Sequence, residues 1–173
     1  LSIEEAGGTP DRTEAGISDF LKVASFQGQY STISGYAGFK VKNGKLYKVV
    51  ASKWKEVPTA NIAVDKNLKK LQIEENGQVA KVYTFDDYGY YIFENGVDEM
   101  ATYFTKYDLI ENYQGYYLNY TGYGYTISID ADGNTSLRVN GYLDWITAFA
   151  QLQGNALTVK GSAWPTISIV FES

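Results

Sequence analysis

Histidine and cysteine are both missing from the 173 residues of this sequence. Their absence excludes Ser-His-Asp and Cys-His nucleophilic sites, zinc sites built on histidine, and a disulfide framework. We therefore assign no catalytic residue and no metal ligand, and we expect neither enzymatic activity nor a cofactor.

Long apolar runs and clustered positive charge are also missing. No apolar run approaches the 18 residues that a membrane-spanning helix needs, so we expect no transmembrane segment. The net charge is −5 and the sequence pI is about 4.8. Nucleic-acid binding depends on clustered lysine and arginine, so nucleic acid is not expected as a partner.

Tyrosine and glycine are plentiful, whereas proline is scarce. The chain holds 16 tyrosines, 17 glycines and 3 prolines. Tyrosine suits half-buried pleated surfaces, and glycine suits tight turns. The acidic charge, the lack of cysteine and the many Tyr, Asn, Gly and Thr residues favour an exported bacterial protein. The chain begins at Leu1 without an initiator methionine, so we expect a mature or trimmed form, periplasmic or at the cell surface and possibly lipid-anchored when full-length.

The clearest pattern is the alternation of apolar and polar residues from Tyr123 to Ile129, which predicts a strand with one buried face. The alternation resumes at Leu137 after the turn signal Asp132-Gly133. Pairing Ile129 with Leu137 and Ile127 with Val139 places both pairs on one face. This register requires an odd number of loop residues, and we expect a loop of three or five.

A fainter copy of this stretch occurs earlier in the chain. Gly28-Gln29-Tyr30 corresponds to Gly115-Tyr116-Tyr117, and Phe39 and Val41 correspond to Ile127 and Ile129. The same parity argument pairs Val41 with Tyr47 and Phe39 with Val49 across Asn43-Gly44. Trp54 and Trp145 each lie eight residues after the corresponding leucine. Several matches in the same order indicate an internal duplication.

These patterns predict an all-β protein, an antiparallel barrel or sandwich built from two related repeats, with one N-terminal helix. We expect a tail and helix in residues 1–25, a first repeat in 26–110 and a second in 111–173, packed as one unit. The helix should run from about Pro10 to Ala24 with Thr9 as its cap. Asn76-Gly77 and Asn95-Gly96 are predicted hairpin turns, Pro58 should end an edge strand, and residues 143–152 suit either a helix or a strand.

The repeated motif resembles the first strands of lipocalin-like and calycin-like domains of secreted bacterial lipoproteins. It consists of Gly-x-Tyr followed by Thr-Ile-x-Ile-Asp-Ala-Asp-Gly-Asn-Thr-x-Leu, and it covers 115–137 best and 28–49 more weakly. The resemblance implies an up-and-down barrel with an inner cavity. It supplies no functional residue.

Two acidic clusters could carry chemistry. Asp86, Asp87, Glu94, Asp98 and Glu99 could form a carboxylate pair, as in glycoside hydrolases, but acidic residues are also common in turns. The stretch 130–134 resembles the start of a calcium loop. The twelfth position of that loop is Gly141 rather than the required glutamate, so a hairpin turn is the better interpretation.

Aromatic side chains are the remaining functional signal. Tyr90, Tyr117, Tyr123, Tyr125, Trp145 and Trp164 could line a cavity or a flat platform. We take Tyr117, Tyr123, Tyr125 and Trp164 as candidate ligand-binding residues, because tyrosine offers both a ring and a hydroxyl. The sequence thus favours a non-enzymatic domain that binds a small molecule, a glycan or a protein partner. The alternative is a structural or adhesive surface protein whose repeats act as spacers.

Overall fold

The computed structural model describes residues 1–32, 37–86, 91–92, 102–119, 124–139, 144–160 and 166–172. Within these ranges strands predominate, and a single α-helix lies near the N-terminus. The predicted all-β class with one N-terminal helix is therefore confirmed. The predicted turn at Asn95-Gly96 lies outside the described residues.

The helix α1, Glu14–Leu21, is shorter than the predicted span. Its N-cap is Thr13, whose hydroxyl accepts a hydrogen bond from the Gly16 N–H at 3.0 Å. Thr9 is not the cap, because the chain after Pro10 is held in an extended conformation. Backbone hydrogen bonds of 2.8 and 2.9 Å join Asp11 to Val64 there.

The first part of the chain forms three sheets. Its strands are β1 Gly28–Ser31, β2 Ala37–Lys42, β3 Lys45–Val50, β4 Lys53–Glu56, β5 Ile62–Asp65, β6 Lys70–Glu75, β7 Gln78–Thr84, β8 Tyr91–Ile92, β9 Thr102–Tyr103 and β10 Thr105–Tyr107. The sheet orders are β10-β1-β2-β3-β4, β5-β6-β7 and β8-β9. The edge strand β4 ends just before Pro58, as predicted.

The second part forms one six-stranded antiparallel sheet in the order β11-β12-β13-β14-β15-β16. Its strands are β11 Gly115–Asn119, β12 Tyr125–Ile129, β13 Thr135–Val139, β14 Ile146–Gln153, β15 Ala156–Lys160 and β16 Ile167–Val170. The ambiguous residues 143–152 therefore contain a strand where they are described.

The chain divides into two compact units. The first comprises Leu1–Lys48 and Lys55–Lys106, and the second comprises Val49–Trp54 and Tyr107–Ser173. Each unit has its own apolar core. The first core gathers α1, β1–β3 and β5–β7 around Tyr30, Phe39 and Phe85, and the second gathers β12–β16 around Ile127, Leu137 and Phe171.

The turn at Asn43-Gly44 has two residues rather than the predicted odd number. Lys42 pairs with Lys45 and Val41 pairs with Leu46, so the predicted Val41–Tyr47 pairing is wrong by one residue. The φ angles of Asn43 and Gly44 are 44° and 88°. Positive φ at both central residues is the geometry of a two-residue type I′ hairpin, and Asn-Gly is the sequence that favours it.

The turn between β12 and β13 has the predicted odd length, spanning residues 130–134, but its register is shifted. Ile129 pairs with Thr135 and Ile127 pairs with Leu137, instead of the predicted Leu137 and Val139. A shift of two residues preserves the buried face, so Ile127 and Leu137 both lie in the core as expected.

Apart from the hairpin between the second and third strands, whose turns differ in length, the two repeats share their strand registers. Gly28 pairs with Val41 and Tyr30 with Phe39, as Gly115 pairs with Ile129 and Tyr117 with Ile127. The second half of each repeat agrees equally well. The matching pairs are Val64–Leu71 with Leu152–Leu157, and Leu71–Tyr83 with Leu157–Ile169.

The repeats differ where one long strand is interrupted. The Val57 N–H donates to the Leu46 carbonyl oxygen at 2.7 Å, in the place where Ala148 pairs with Thr135. Leu46 therefore corresponds to Thr135 and not, as predicted, to Leu137. Counting back three residues from Val57 and from Ala148 still makes Trp54 and Trp145 equivalent. In the first repeat, residues 58–61 stand where the second has Phe149 alone. Because Pro58 introduces a 3-10 turn there, one strand like β14 becomes the separate strands β4 and β5.

Candidate functional site

Of the four candidate ligand-binding residues, two are described. Tyr117 lies on the core side of the second sheet, where its hydroxyl donates to the Tyr113 carbonyl oxygen at 2.7 Å. Its ring meets Phe171 edge-on, with centroids 4.7 Å apart. Tyr125 is half-buried against the same core. Tyr123 and Trp164 lie outside the described residues, as does Tyr90.

The equivalent tyrosine of the first repeat has the same bond. The Tyr30 hydroxyl donates to the Phe26 carbonyl oxygen at 2.8 Å, and Tyr30 is fully buried. Burial raises the pKa of Tyr30 well above its usual value, and the nearby Asp86 carboxylate raises it further. The shared hydrogen bond is thus a structural feature of both repeats.

The opposite face of the second sheet carries exposed apolar side chains. Cross-strand pairing places Tyr116 with Ser128, and Leu118 with Thr126 and Arg138, on the face away from the core. Tyr116 is 74% exposed and Leu118 is 60% exposed. Large apolar side chains that lie exposed together mark interaction sites more often than scattered ones do.

Trp145, the residue just before β14, joins this group. Its ring is 6.3 Å from that of Tyr116 at an interplanar angle of 67°, and Arg138 lies 5.0 Å from its centroid. Trp145 remains 41% exposed. We call Tyr116, Leu118, Arg138 and Trp145 the outer aromatic patch.

The sequence indicated only part of this patch. Trp145 was among the expected platform residues, but Tyr116 and Leu118 were not. The available signal was the run Tyr116-Tyr117-Leu118, because three consecutive apolar residues in a strand must place some of them on each face.

A cleft of about 820 Å³ lies in the first unit, beside α1 and the turn between β5 and β6. Its apolar wall includes Phe20, which is also part of the core. Two of the carboxylates that line it are engaged locally: Asp65 accepts from the backbone of Thr9, Asn67 and Leu68, and Asp11 accepts from Thr13. The hydrogen bonds of Asp11 lower its pKa. These contacts give the rim a structural role.

In the acidic turn between β12 and β13, the Asp130 carboxylate also makes its hydrogen bonds within the turn. Asp130 Oδ1 accepts from the backbone N–H groups of Asp132 and Asn134 at 2.9 Å each, and Asp130 Oδ2 accepts from the Asn134 amide at 3.1 Å. The Asn134 side chain in turn accepts from the Trp54 N–H at 2.9 Å. A hairpin turn stabilised by Asp130 accounts for this geometry.

Most of the predicted carboxylate cluster cannot be placed, since Asp87, Glu94, Asp98 and Glu99 lie outside the described residues. In the part of the chain that is described, no group of three or more acidic residues could hold a metal ion.

No helix in the described part of the chain is long and apolar enough to cross a membrane.

Comparison with known proteins gives no relative. No protein-family model matches the chain, and neither a curated protein nor a solved structure does.

Proposed function

We propose that this chain is a non-enzymatic binding module that holds a polypeptide partner on the outer aromatic patch. The observation that carries the proposal is the joint exposure of Tyr116, Leu118 and Trp145 on one face of one sheet. Tyrosine, tryptophan and arginine are the residues that dominate the binding energy of protein interfaces.

The geometry of the patch supports a protein partner. Packing against Tyr116 and Arg138 orients Trp145, so its ring loses little conformational freedom on binding. The Arg138 guanidinium adds a donor that is always charged and suits carboxylates and carbonyl oxygens. The acidic, cysteine-free composition supports an exported location, periplasmic or at the cell surface.

The test is selection of a random peptide library displayed on phage against the whole chain. We expect enriched peptides to lose at least tenfold in affinity on Tyr116→Ser or Trp145→Ser. They should keep their affinity on Val170→Ser, because Val170 is a matched exposed residue, 66% accessible, at the other edge of the same sheet.

Two outcomes would overturn the proposal. One is the absence of any enriched peptide, which would favour the repeats as spacers. The other is peptides that bind all three variants equally. A glycan array run in parallel tests the other ligand class, and glycan binding lost on Tyr117→Phe and Tyr125→Phe would move the site to the core-side tyrosines.

A further inference from the structure

Strands β1 and β11 are equivalent, yet they have different neighbours. Both follow a 3-10 turn and a glutamine, and both begin with a glycine, with φ of 148° at Gly28 and 147° at Gly115. Their pairing to the next strand matches residue by residue at the tyrosines Tyr30 and Tyr117. The strand that pairs with the far edge of β1 therefore indicates what kind of strand would pair with the far edge of β11.

The far edge of β1 is paired with β10, so β1 lies inside its sheet. The segment is also held by a side chain, since Lys106 Nζ donates to the Ser25 carbonyl oxygen at 2.8 Å. By contrast, β11 is the first strand of its sheet, and within the described ranges no strand pairs with its far edge. Alternate N–H and C=O groups along β11 therefore lack a ladder partner in that part of the chain.

The side chains show the same difference. Gln29 and Ser31 of β1 are only 1% and 0% exposed. The residues at the same positions of β11 are Tyr116 and Leu118, which are 74% and 60% exposed. The polar residues are buried in the first repeat, where β1 lies inside its sheet. The apolar residues are exposed in the second repeat, where β11 is the first strand of its sheet. This is the reverse of what solvation alone would select.

We propose that the open edge of β11 accepts an extended strand of another polypeptide, in the position that β10 occupies beside β1. The inference rests on the proposed function for the location of the partner and adds how it binds. Backbone hydrogen bonds to β11 supply affinity, and the side chains of Tyr116 and Leu118 cover the added strand.

The partner strand should resemble β10 with one change. A lysine at the place of Lys106 would reach the carbonyl oxygen of Asn112, which is the equivalent of Ser25. In the first unit Phe104 lies over Gly38, where an added Cβ would come within 2.5 Å of the Phe104 ring. Strand β2 has a register shift at Gly38, whereas β12 pairs with β11 in unbroken register through Thr126, so the second repeat has no equivalent place for the Phe104 ring and the partner needs a smaller residue.

The test uses a synthetic peptide with the sequence of residues 102–108 carrying Phe104→Ala, titrated into the whole chain by fluorescence anisotropy. Two further peptides are methylated on alternate backbone nitrogens, one at residues 103, 105 and 107 and the other at 104 and 106. Because an added strand turns only one set of N–H groups toward β11, one methylated peptide should lose at least tenfold in affinity while the other keeps it.

Substitutions in the protein show where on its surface the peptide binds. Leu118→Ser and Tyr116→Ser should each weaken binding, whereas Val170→Ser should not. The unmodified peptide with Phe104 should bind less tightly than the peptide with Phe104→Ala. Equal binding of both methylated peptides would overturn pairing with β11 while leaving the outer aromatic patch as the binding surface. No binding of the peptide, with phage peptides still dependent on Tyr116, would likewise overturn this inference alone.

Discussion

The hydroxyl of Tyr117 donates a hydrogen bond to the carbonyl oxygen of Tyr113, four residues earlier in the chain. The same bond joins Tyr30 to Phe26. In each repeat the acceptor residue also stacks on a distant phenylalanine, Phe26 on Phe85 at 4.3 Å and Tyr113 on Phe171 at 4.2 Å. The hydrogen bond and the stacked rings fix the turn that leads into the first strand of each repeat.

We expect Tyr30→Phe to destabilise the protein by about 1–3 kcal/mol, because it removes the hydrogen bond and leaves a carbonyl group without its partner. Tyr117→Phe should cost less, because Tyr117 is only half-buried and water can reach its surroundings. Urea denaturation followed by circular dichroism measures both. Equal stability of Tyr30→Phe and the wild type would contradict a structural role for this hydroxyl.

Replacing the distant phenylalanines tests the equivalence of the repeats. Phe85→Ala and Phe171→Ala should each cost about 3–5 kcal/mol. Phe85→Ala should cost more, because its ring contacts Phe20, Phe26, Tyr30 and Phe39. Phe171→Leu, which keeps most of the buried volume, is the control. A cost below about 1 kcal/mol for either alanine variant would refute this description of the cores.

Alanine substitutions at two turn glycines distinguish the stability cost of backbone strain from the cost of side-chain crowding. Gly44 and Gly77 have φ of 88° and 74°. A Cβ at Gly77 would have nothing within 4 Å, whereas one at Gly44 would lie 3.1 Å from Ser18 and Lys22 atoms. Gly77→Ala should therefore cost about 1–2 kcal/mol from backbone conformation alone. Gly44→Ala should cost at least as much in thermal denaturation, and a neutral Gly77→Ala would rule out the left-handed turn.

Alkaline pH should weaken the fold through Tyr30. Its pKa is raised in the folded state, so its contribution to stability is complete below the unfolded value of about 10 and is lost as pH rises above it. The free energy of unfolding should fall between pH 9 and pH 11 more steeply in the wild type than in Tyr30→Phe. Parallel pH profiles for the two proteins would show that Tyr30 makes no such contribution.

Periodicity was enough to predict the all-β class, because buried faces are encoded locally. The alternation in β12 and the turns at Asn43-Gly44, Asn76-Gly77 and Asp132-Gly133 identified real hairpins. Register was less secure. Lys45–Val50 lacks clean alternation, so the expectation of an odd loop led to the pairing of Val41 with Tyr47. The sequence Asn43-Gly44 itself favours the observed two-residue turn.

The outer aromatic patch was harder to predict because it depends on what covers a strand. Gln29 and Tyr116 occupy the same strand position, yet one is buried and the other exposed. No pattern within either strand shows whether its far edge has a partner.

Amide hydrogen exchange of the free protein, resolved by residue with NMR, tests the central claim most directly. We expect Gln29, Tyr30 and Ser31 all to be protected, because β1 is paired on both sides. In β11 protection should alternate, with at least one amide among residues 116–118 exchanging far faster than its neighbours. Uniform protection of β11, equal to that of β1, would contradict the open edge and the binding mode that depends on it.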